Sequence, residues 1–157
     1  MTNKIPITLK GKRALETELE QLKSTDRPAV IQMIAEARAQ GDLSENAEYS
    51  AAREKQGFIE GRIQEIGDRL ARAEVIDPTK ISSSKVVFGA TVKIVDEDGV
   101  KKDYQIVGQP EADLENGKIS VLSPVAKALL GKEVGDEAIV KSPKGEIVYE
   151  ILELQYI

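Results

Sequence analysis

Apolar and small residues recur at alternating intervals of three and four from Tyr49 to Ala73: Tyr49, Ala52, Gln56, Ile59, Ile63, Ile66, Leu70 and Ala73. That spacing is the buried seam of a helix packed on another helix, with one polar position at Gln56. A second series, Leu15, Leu19 and Leu22 followed by Val30, Ile34 and Ala37, predicts a partner helix beginning after Thr8, a suitable N-cap. Between its two halves lies Ser24-Thr25-Asp26-Arg27-Pro28. Pro28 has no backbone N–H to donate, so a kink or short break is expected there. Gly41 ends the first helix as its C′ residue. The connection that follows is short, which forces the two helices to run antiparallel. Helix over residues 9–40 would extend roughly 45–50 Å at about 1.5 Å per residue. That is longer than a small domain's core requires and suggests reach. Glu65/Arg69 and Asp68/Arg72 have the i,i+4 spacing of ion pairs on the outer face.

The pattern changes at Asp77-Pro78. Before it the chain is rich in Ala, Glu, Gln, Arg and Leu, which favour helix. Beyond it, β-branched runs are separated by Gly, Asp and Asn, with Ser82-Ser83-Ser84 as a connector. Strands are predicted at Val86–Val95, Lys102–Gly108, Ile119–Leu122, Glu137–Lys141 and Glu146–Tyr156, the last partly buried on both faces. Ser123-Pro124 opens a short helix that Gly131 stops after Leu129-Leu130. The expected architecture is α+β. A helical hairpin over residues 1–77 precedes a domain over 78–157, a curved antiparallel sheet folded over one short helix, with the boundary at 77–85.

Composition narrows the chemistry. The chain has neither Cys nor His. Disulfides and thiolate metal sites are excluded, and so is imidazole base or ligand chemistry. A metal would have to be held by oxygen, which suits Mg²⁺ rather than Zn²⁺. Residues 1–77 carry 12 basic and 14 acidic side chains, net −2, and residues 78–157 carry 10 and 13, net −3. Neither half has the basic field of an autonomous nucleic-acid binder. No apolar run reaches membrane-spanning length and the N-terminus lacks an apolar signal core, so a soluble cytoplasmic protein is expected.

The turn Gly41-Asp42-Leu43-Ser44-Glu45-Asn46 places two carboxylates, Asp42 and Glu45, three residues apart. Asp-x-x-Glu at a helix start is a capping-box pattern, and spacing alone favours that reading. The alternative is an exposed oxygen pair that shares Mg²⁺ with ligands from a partner. Asn46 and Glu48 add oxygens beyond what a cap requires. Two carboxylates alone would hold the ion weakly, since Mg²⁺ gives up water reluctantly. Arg38, a turn before Asp42, and Arg53, two turns beyond Glu45, could face a phosphate near the tip; each taken alone is more simply a solvated surface arginine. Ala-rich stretches at 35–39 and 47–52 allow the helices to approach closely, although Ala is also a good helix former.

The run Ala35-Glu36-Ala37-Arg38, Gly41-Asp42-Leu43-Ser44-Glu45-Asn46-Ala47-Glu48-Tyr49 and Ala51-Ala52-Arg53-Glu54 resembles the bacterial Gre family of transcript-cleavage and transcription elongation factors. So do Gly57-Phe58, Glu60-Gly61-Arg62-Ile63, Phe88-Gly89-Ala90-Thr91-Val92, Ile119-Ser120-Val121 with Ser123-Pro124, and Leu130-Gly131-Lys132. The acidic surface is nearer the GreA branch than GreB, which has a larger basic patch. Ser44 stands where some members have Lys, which leaves both carboxylates intact.

The resemblance implies a coiled coil that enters the secondary channel of RNA polymerase and a C-terminal domain, similar to the FK506-binding-protein (FKBP) fold, that docks at the channel rim. It implies that Asp42 and Glu45 help hold a second Mg²⁺, jointly with the polymerase, for cleavage of backtracked RNA. It further implies that Arg38 and Arg53 contact the extruded RNA 3′ segment. The factor would then be an accessory to the polymerase and not itself an enzyme, monomeric, with no membrane partner. Two competing readings are a prolyl isomerase, disfavoured because the C-terminal half has only Phe88, Tyr104, Tyr149 and Tyr156 to line a pocket, and a channel-binding regulator without stimulated cleavage.

Overall fold

The computed structural model describes residues 4–41 and 46–157. The chain divides into two compact units: Lys12–Ala73, and the described residues up to Gly11 together with Glu74–Ile157.

The first unit is the helical hairpin. Helix α1 (Leu9–Gln21) runs into a π-helical turn at Leu22–Asp26 and continues as α2 (Arg27–Ala39), and α3 (Ala47–Arg72) returns against them. Val30, Ile34, Ala37, Ala52, Ile59 and Ile66 are buried at the expected seam positions. Leu15, Leu19, Ile63 and Leu70 pack against the cluster of Leu22, Val30, Ile59 and Ile66.

In place of a break, the helix before Pro28 carries a π turn, and it has a simple origin. Counting from Leu22 to Val30 spans eight residues where two seam steps of three and four supply seven. A π turn absorbs one extra residue while keeping the helix continuous. Here the Arg27 N–H donates to the Leu22 carbonyl, five residues back. Pro28, which has no N–H to donate, follows directly after that turn as the second residue of α2.

Ion pairs flank the seam. Arg62 forms a two-pronged bond to Glu18 at 2.6 and 2.7 Å, and Arg27 another to Glu60 at 2.9 and 2.8 Å. Glu65 and Arg69 meet at 2.6 Å as the spacing predicted. Asp68 and Arg72 do not; among the described residues no ion pair joins them.

The second unit is built on a five-stranded sheet in the order β5-β4-β3-β7-β6. Its strands are β3 (Thr91–Val95), β4 (Lys101–Val107), β5 (Lys118–Ser120), β6 (Glu137–Ser142) and β7 (Gly145–Gln155), with α4 (Pro124–Leu129) against one face. Val92, Ile94, Ile106, Ile119, Ala138, Val140, Tyr149 and Ile151 meet Ala126 and Leu129 of α4 in one core. The Ser123 hydroxyl accepts the Ala126 N–H at 3.2 Å, with Pro124 in the first turn, as expected. A second, two-stranded sheet pairs β1 (Ile5–Thr8) with β2 (Ala73–Ile76). The hydrophobic pattern gave no sign of either strand.

Two expectations need correction, and a third gains its physical reason. The sheet is mixed: β5 runs parallel to β4, with Ile106 opposite Ile119. Parallel neighbours need a crossover of about a dozen residues, which residues 108–117 provide through two 3₁₀ turns. The first predicted strand is shorter, Thr91–Val95 in place of Val86–Val95. Gly89 turns the chain at φ 90°, and Val86 bonds instead to the segment after α4, through Lys132 and Gly131. Finally, burial on both faces of β7 comes from a bulge. Lys93 pairs with Glu153 but Ile94 with Ile151, leaving Leu152 extra. The extra residue flips the alternation, so Tyr149 and Ile151 face the core before the bulge and Leu154 and Tyr156 after it.

The start of α1 is fastened within the second unit. Thr8 caps the helix by accepting the Gly11 N–H at 3.0 Å. Its own N–H donates to Glu111 at 3.1 Å and its hydroxyl also donates to that carboxylate. The Gly108 N–H is a third donor to Glu111, at 3.0 Å.

Candidate functional site at the hairpin tip

The tip is shaped by how α2 stops and α3 starts. The Gln40 N–H donates to the Ala37 carbonyl at 3.2 Å, closing the last turn of α2. Gly41 follows at φ 127°, a conformation that side-chain-bearing residues rarely adopt. Asp42, Leu43, Ser44 and Glu45 lie outside the described residues. The chain is next described at Asn46, the N-cap of α3, whose Oδ1 accepts the Tyr49 N–H at 3.0 Å. The Asn46 Nδ2 donates to the Ala37 carbonyl at 2.7 Å. One side-chain amide therefore satisfies an orphan donor of α3 and gives the Ala37 carbonyl of α2, which also accepts from Gln40, a second donor.

This arrangement bears on the capping-box reading of Asp-x-x-Glu. The cap of α3 is Asn46, one residue after Glu45 in the sequence, and not Asp42. Asn is among the best N-cap residues, so the sequence did hold the signal. With the cap supplied by Asn46, the α3 terminus does not require Asp42 as its capping residue.

Beneath the tip the seam is closed by small residues. Ala37 and Ala52 are buried there, one on each helix. Arg38 is exposed in the last turn of α2, and its guanidinium lies 5.9 Å from the centroid of the Tyr49 ring. That distance is within reach of a cation–π attraction. Arg53 is exposed on α3 and forms no ion pair with a described residue. Glu48 is exposed in the first turn of α3, where the helix dipole favours an acidic side chain.

Further from the tip, charges are held by partners. Hydrogen bonding from Arg62 holds the Glu18 carboxyl below its ordinary value, and the same contact raises Arg62. Glu60 likewise raises Arg27. These pairs link Glu18 and Arg27 on one side of the hairpin to Arg62 and Glu60 on α3.

No group of three or more carboxylates that could hold a metal occurs among the described residues. No helix among them is long and apolar enough to cross a membrane. In the second unit the tyrosine side chains are committed to packing. Tyr104, Tyr149 and Tyr156 join the core, and the Tyr156 hydroxyl donates to the Lys85 carbonyl at 2.5 Å. A groove of about 310 Å³ on the sheet is lined by Thr91, Lys93, Asp103, Glu153, Gln155 and Ile157. It lacks the aromatic lining an isomerase pocket would need.

Comparison with known proteins agrees along the whole length. Residues 5–75 match the family model described as transcription elongation factor, N-terminal, and residues 81–156 match transcription elongation factor, GreA/GreB, C-term. A protein of Thermodesulfovibrio yellowstonii named transcription elongation factor GreA is 56% identical, over 99% of both chains. Another of that name from Hyphomonas neptunium is 58% identical over 98% of both. A solved structure from Nitrosomonas europaea, titled prokaryotic transcription elongation factor GreA/GreB, is 28% identical over 98% of this chain and 100% of its own, with a TM-score of 0.42. With both halves matched in order and full-length relatives above half identity, the chain belongs to the GreA/GreB family of transcription elongation factors.

Proposed function

We propose that this protein rescues stalled transcription by inserting the tip of its helical hairpin into the secondary channel of bacterial RNA polymerase. There it stimulates cleavage of the backtracked RNA 3′ end. The second unit docks at the channel rim. On this reading the protein acts in the cytoplasm, as a monomer, and is an accessory to the polymerase's own nuclease activity rather than an enzyme.

The observation that carries the reading is the tip. Two helices closed by Ala37, Ala52 and the Asn46 cap end in a connection that holds Asp42 and Glu45. The donor set fits a hard cation: two carboxylates, with no Cys or His anywhere in the chain. It is also incomplete by itself, so the remaining ligands would come from the polymerase. Asp42 and Glu45 would hold Mg²⁺ jointly with it. The ion, when bound, supplies activation of water and stabilisation of charge on the leaving oxygen. Arg38 and Arg53, exposed on the last turn of α2 and on α3, would offer positive charge to the RNA phosphates.

The test is cleavage of RNA in backtracked polymerase complexes by the wild type and Asp42→Asn, across a Mg²⁺ series. The expected result is that Asp42→Asn binds the polymerase as the wild type does and fails to stimulate cleavage. Undiminished cleavage by the variant overturns the metal-holding role. A wild type that binds but stimulates no cleavage identifies a non-catalytic channel-binding regulator instead.

A further inference from the structure

The two hydrogen bonds of Asn46 raise a question of residue choice. Asn, Asp and Ser cap helices about equally well, because each offers an oxygen to a backbone N–H. Only Asn also offers a short-armed amide donor. That donor is in use: Nδ2 reaches back nine positions to the Ala37 carbonyl at 2.7 Å while Oδ1 accepts from Tyr49 at 3.0 Å. Ala37 is buried and lies in the last turn of α2, so the acceptor is set in the closed seam. A cap without the second bond would stabilise α3 alone. With it, the end of α2 and the start of α3 are tied by one planar amide, next to the connection that carries Asp42 and Glu45.

We propose that Asn46 is a positioning residue for transcript cleavage: its amide bridge fixes the two chain ends between which residues 42–45 are held, and so sets how the carboxylates are delivered. The proposal rests on the reading of the tip as half of a metal site. Its physical basis is the steep dependence of catalysis on placement, in which an error of about 1 Å costs on the order of a hundredfold in rate. Asn46 touches neither metal nor RNA in this scheme and acts through the backbone.

Asn46→Ser separates the two bonds, since it keeps a capping oxygen and loses the donor to Ala37. Asn46→Ala removes both. The full-length variants are compared with wild type and Asp42→Asn in backtracked polymerase complexes, varying factor and Mg²⁺ separately, with helix content followed by circular dichroism. For Asn46→Ser the expected result is wild-type helix content, a wild-type half-saturating factor concentration, a maximal cleavage rate lowered by about ten- to a hundredfold and a higher Mg²⁺ requirement. Asn46→Ala is expected to be no better than Asn46→Ser. A wild-type maximal rate for Asn46→Ser overturns the proposal. So does a defect that saturating factor restores, because the residue would then serve docking. If Asp42→Asn cleaves like the wild type, the metal-site reading falls and this proposal falls with it. If Asp42→Asn is inactive and Asn46→Ser is normal, only the assignment of Asn46 falls.

Discussion

The guanidinium of Arg38 sits 5.9 Å from the centre of the Tyr49 ring, joining the last turn of α2 to the first turn of α3. Tyr49 occupies the last seam position before the tip and is half-buried there. Arg38 lies within cation–π reach of the ring while remaining exposed. A double-mutant cycle of Arg38→Ala and Tyr49→Leu should give a coupling of about 0.5–1 kcal/mol in unfolding free energy. Additive effects of the two substitutions would show that the proximity carries no energy.

Glu18 and Arg62 give the hairpin a pH dependence of known sign. The arginine's hydrogen bonds lower the Glu18 pKa from 4.5. A carboxyl whose folded pKa is depressed contributes stability above its unfolded pKa and loses it as pH falls through the folded value. The pair is part-exposed, at 41% for Glu18 and 32% for Arg62, so its contribution is discounted to roughly 0.2–1 kcal/mol. Replacing Glu18 with Gln should therefore lower stability at pH 7 by about that amount and have little effect well below pH 4. Urea titrations at the two pH values provide the comparison; an equal loss at both would show that packing, not charge, is responsible.

Gly11 is required by its neighbour, not by its own conformation. A Cβ there would overlap the Glu111 carboxylate. That carboxylate accepts from the Thr8 N–H, the Thr8 hydroxyl and the Gly108 N–H. Gly11→Ala should destabilise by on the order of 1–3 kcal/mol, since charge-assisted bonds outweigh the helix propensity gained. In a Glu111→Ala background the sign should reverse, with the same Gly11→Ala change stabilising by up to about 1 kcal/mol. Chemical denaturation of the four proteins decides; a penalty that persists without Glu111 would refute the overlap as its cause.

The two compact units have separate cores, so a cavity in each should act locally. Ile66 and Ile94 are both fully buried, the first in the hairpin seam and the second on β3. Truncation of either to Ala should cost about 2–5 kcal/mol. Hydrogen exchange should show Ile66→Ala loosening amides of α3 and its partner helices, and Ile94→Ala those of β3, β4 and β7. Loss of protection throughout both units in either variant would show that they unfold as one.

The sequence by itself determined the hairpin, because a helical seam is written in a local period of three and four. It showed the helix cap at Ser123, the cap at Thr8 and the irregularity before Pro28, all of which depend on neighbouring residues. It also held the family pattern, residue by residue, including Asp42 and Glu45. What it left undecided depends on distant partners. The parallel pairing of β5 with β4 and the bulge at Leu152 are set by which strand lies alongside, and alternation within one strand does not report that. The hold of Glu111 on Thr8 joins residues 103 apart in the chain, with no local signature. At the tip, spacing favoured Asp42 as a cap although Asn46 is as good a capping residue; the cap is at Asn46, and what only the tertiary structure decided is its second bond, to Ala37. The reason is physical: an N-cap is assigned by which oxygen meets the N–H of Tyr49, and the bond from Asn46 to Ala37 forms only once α2 and α3 have been brought together by their buried seam.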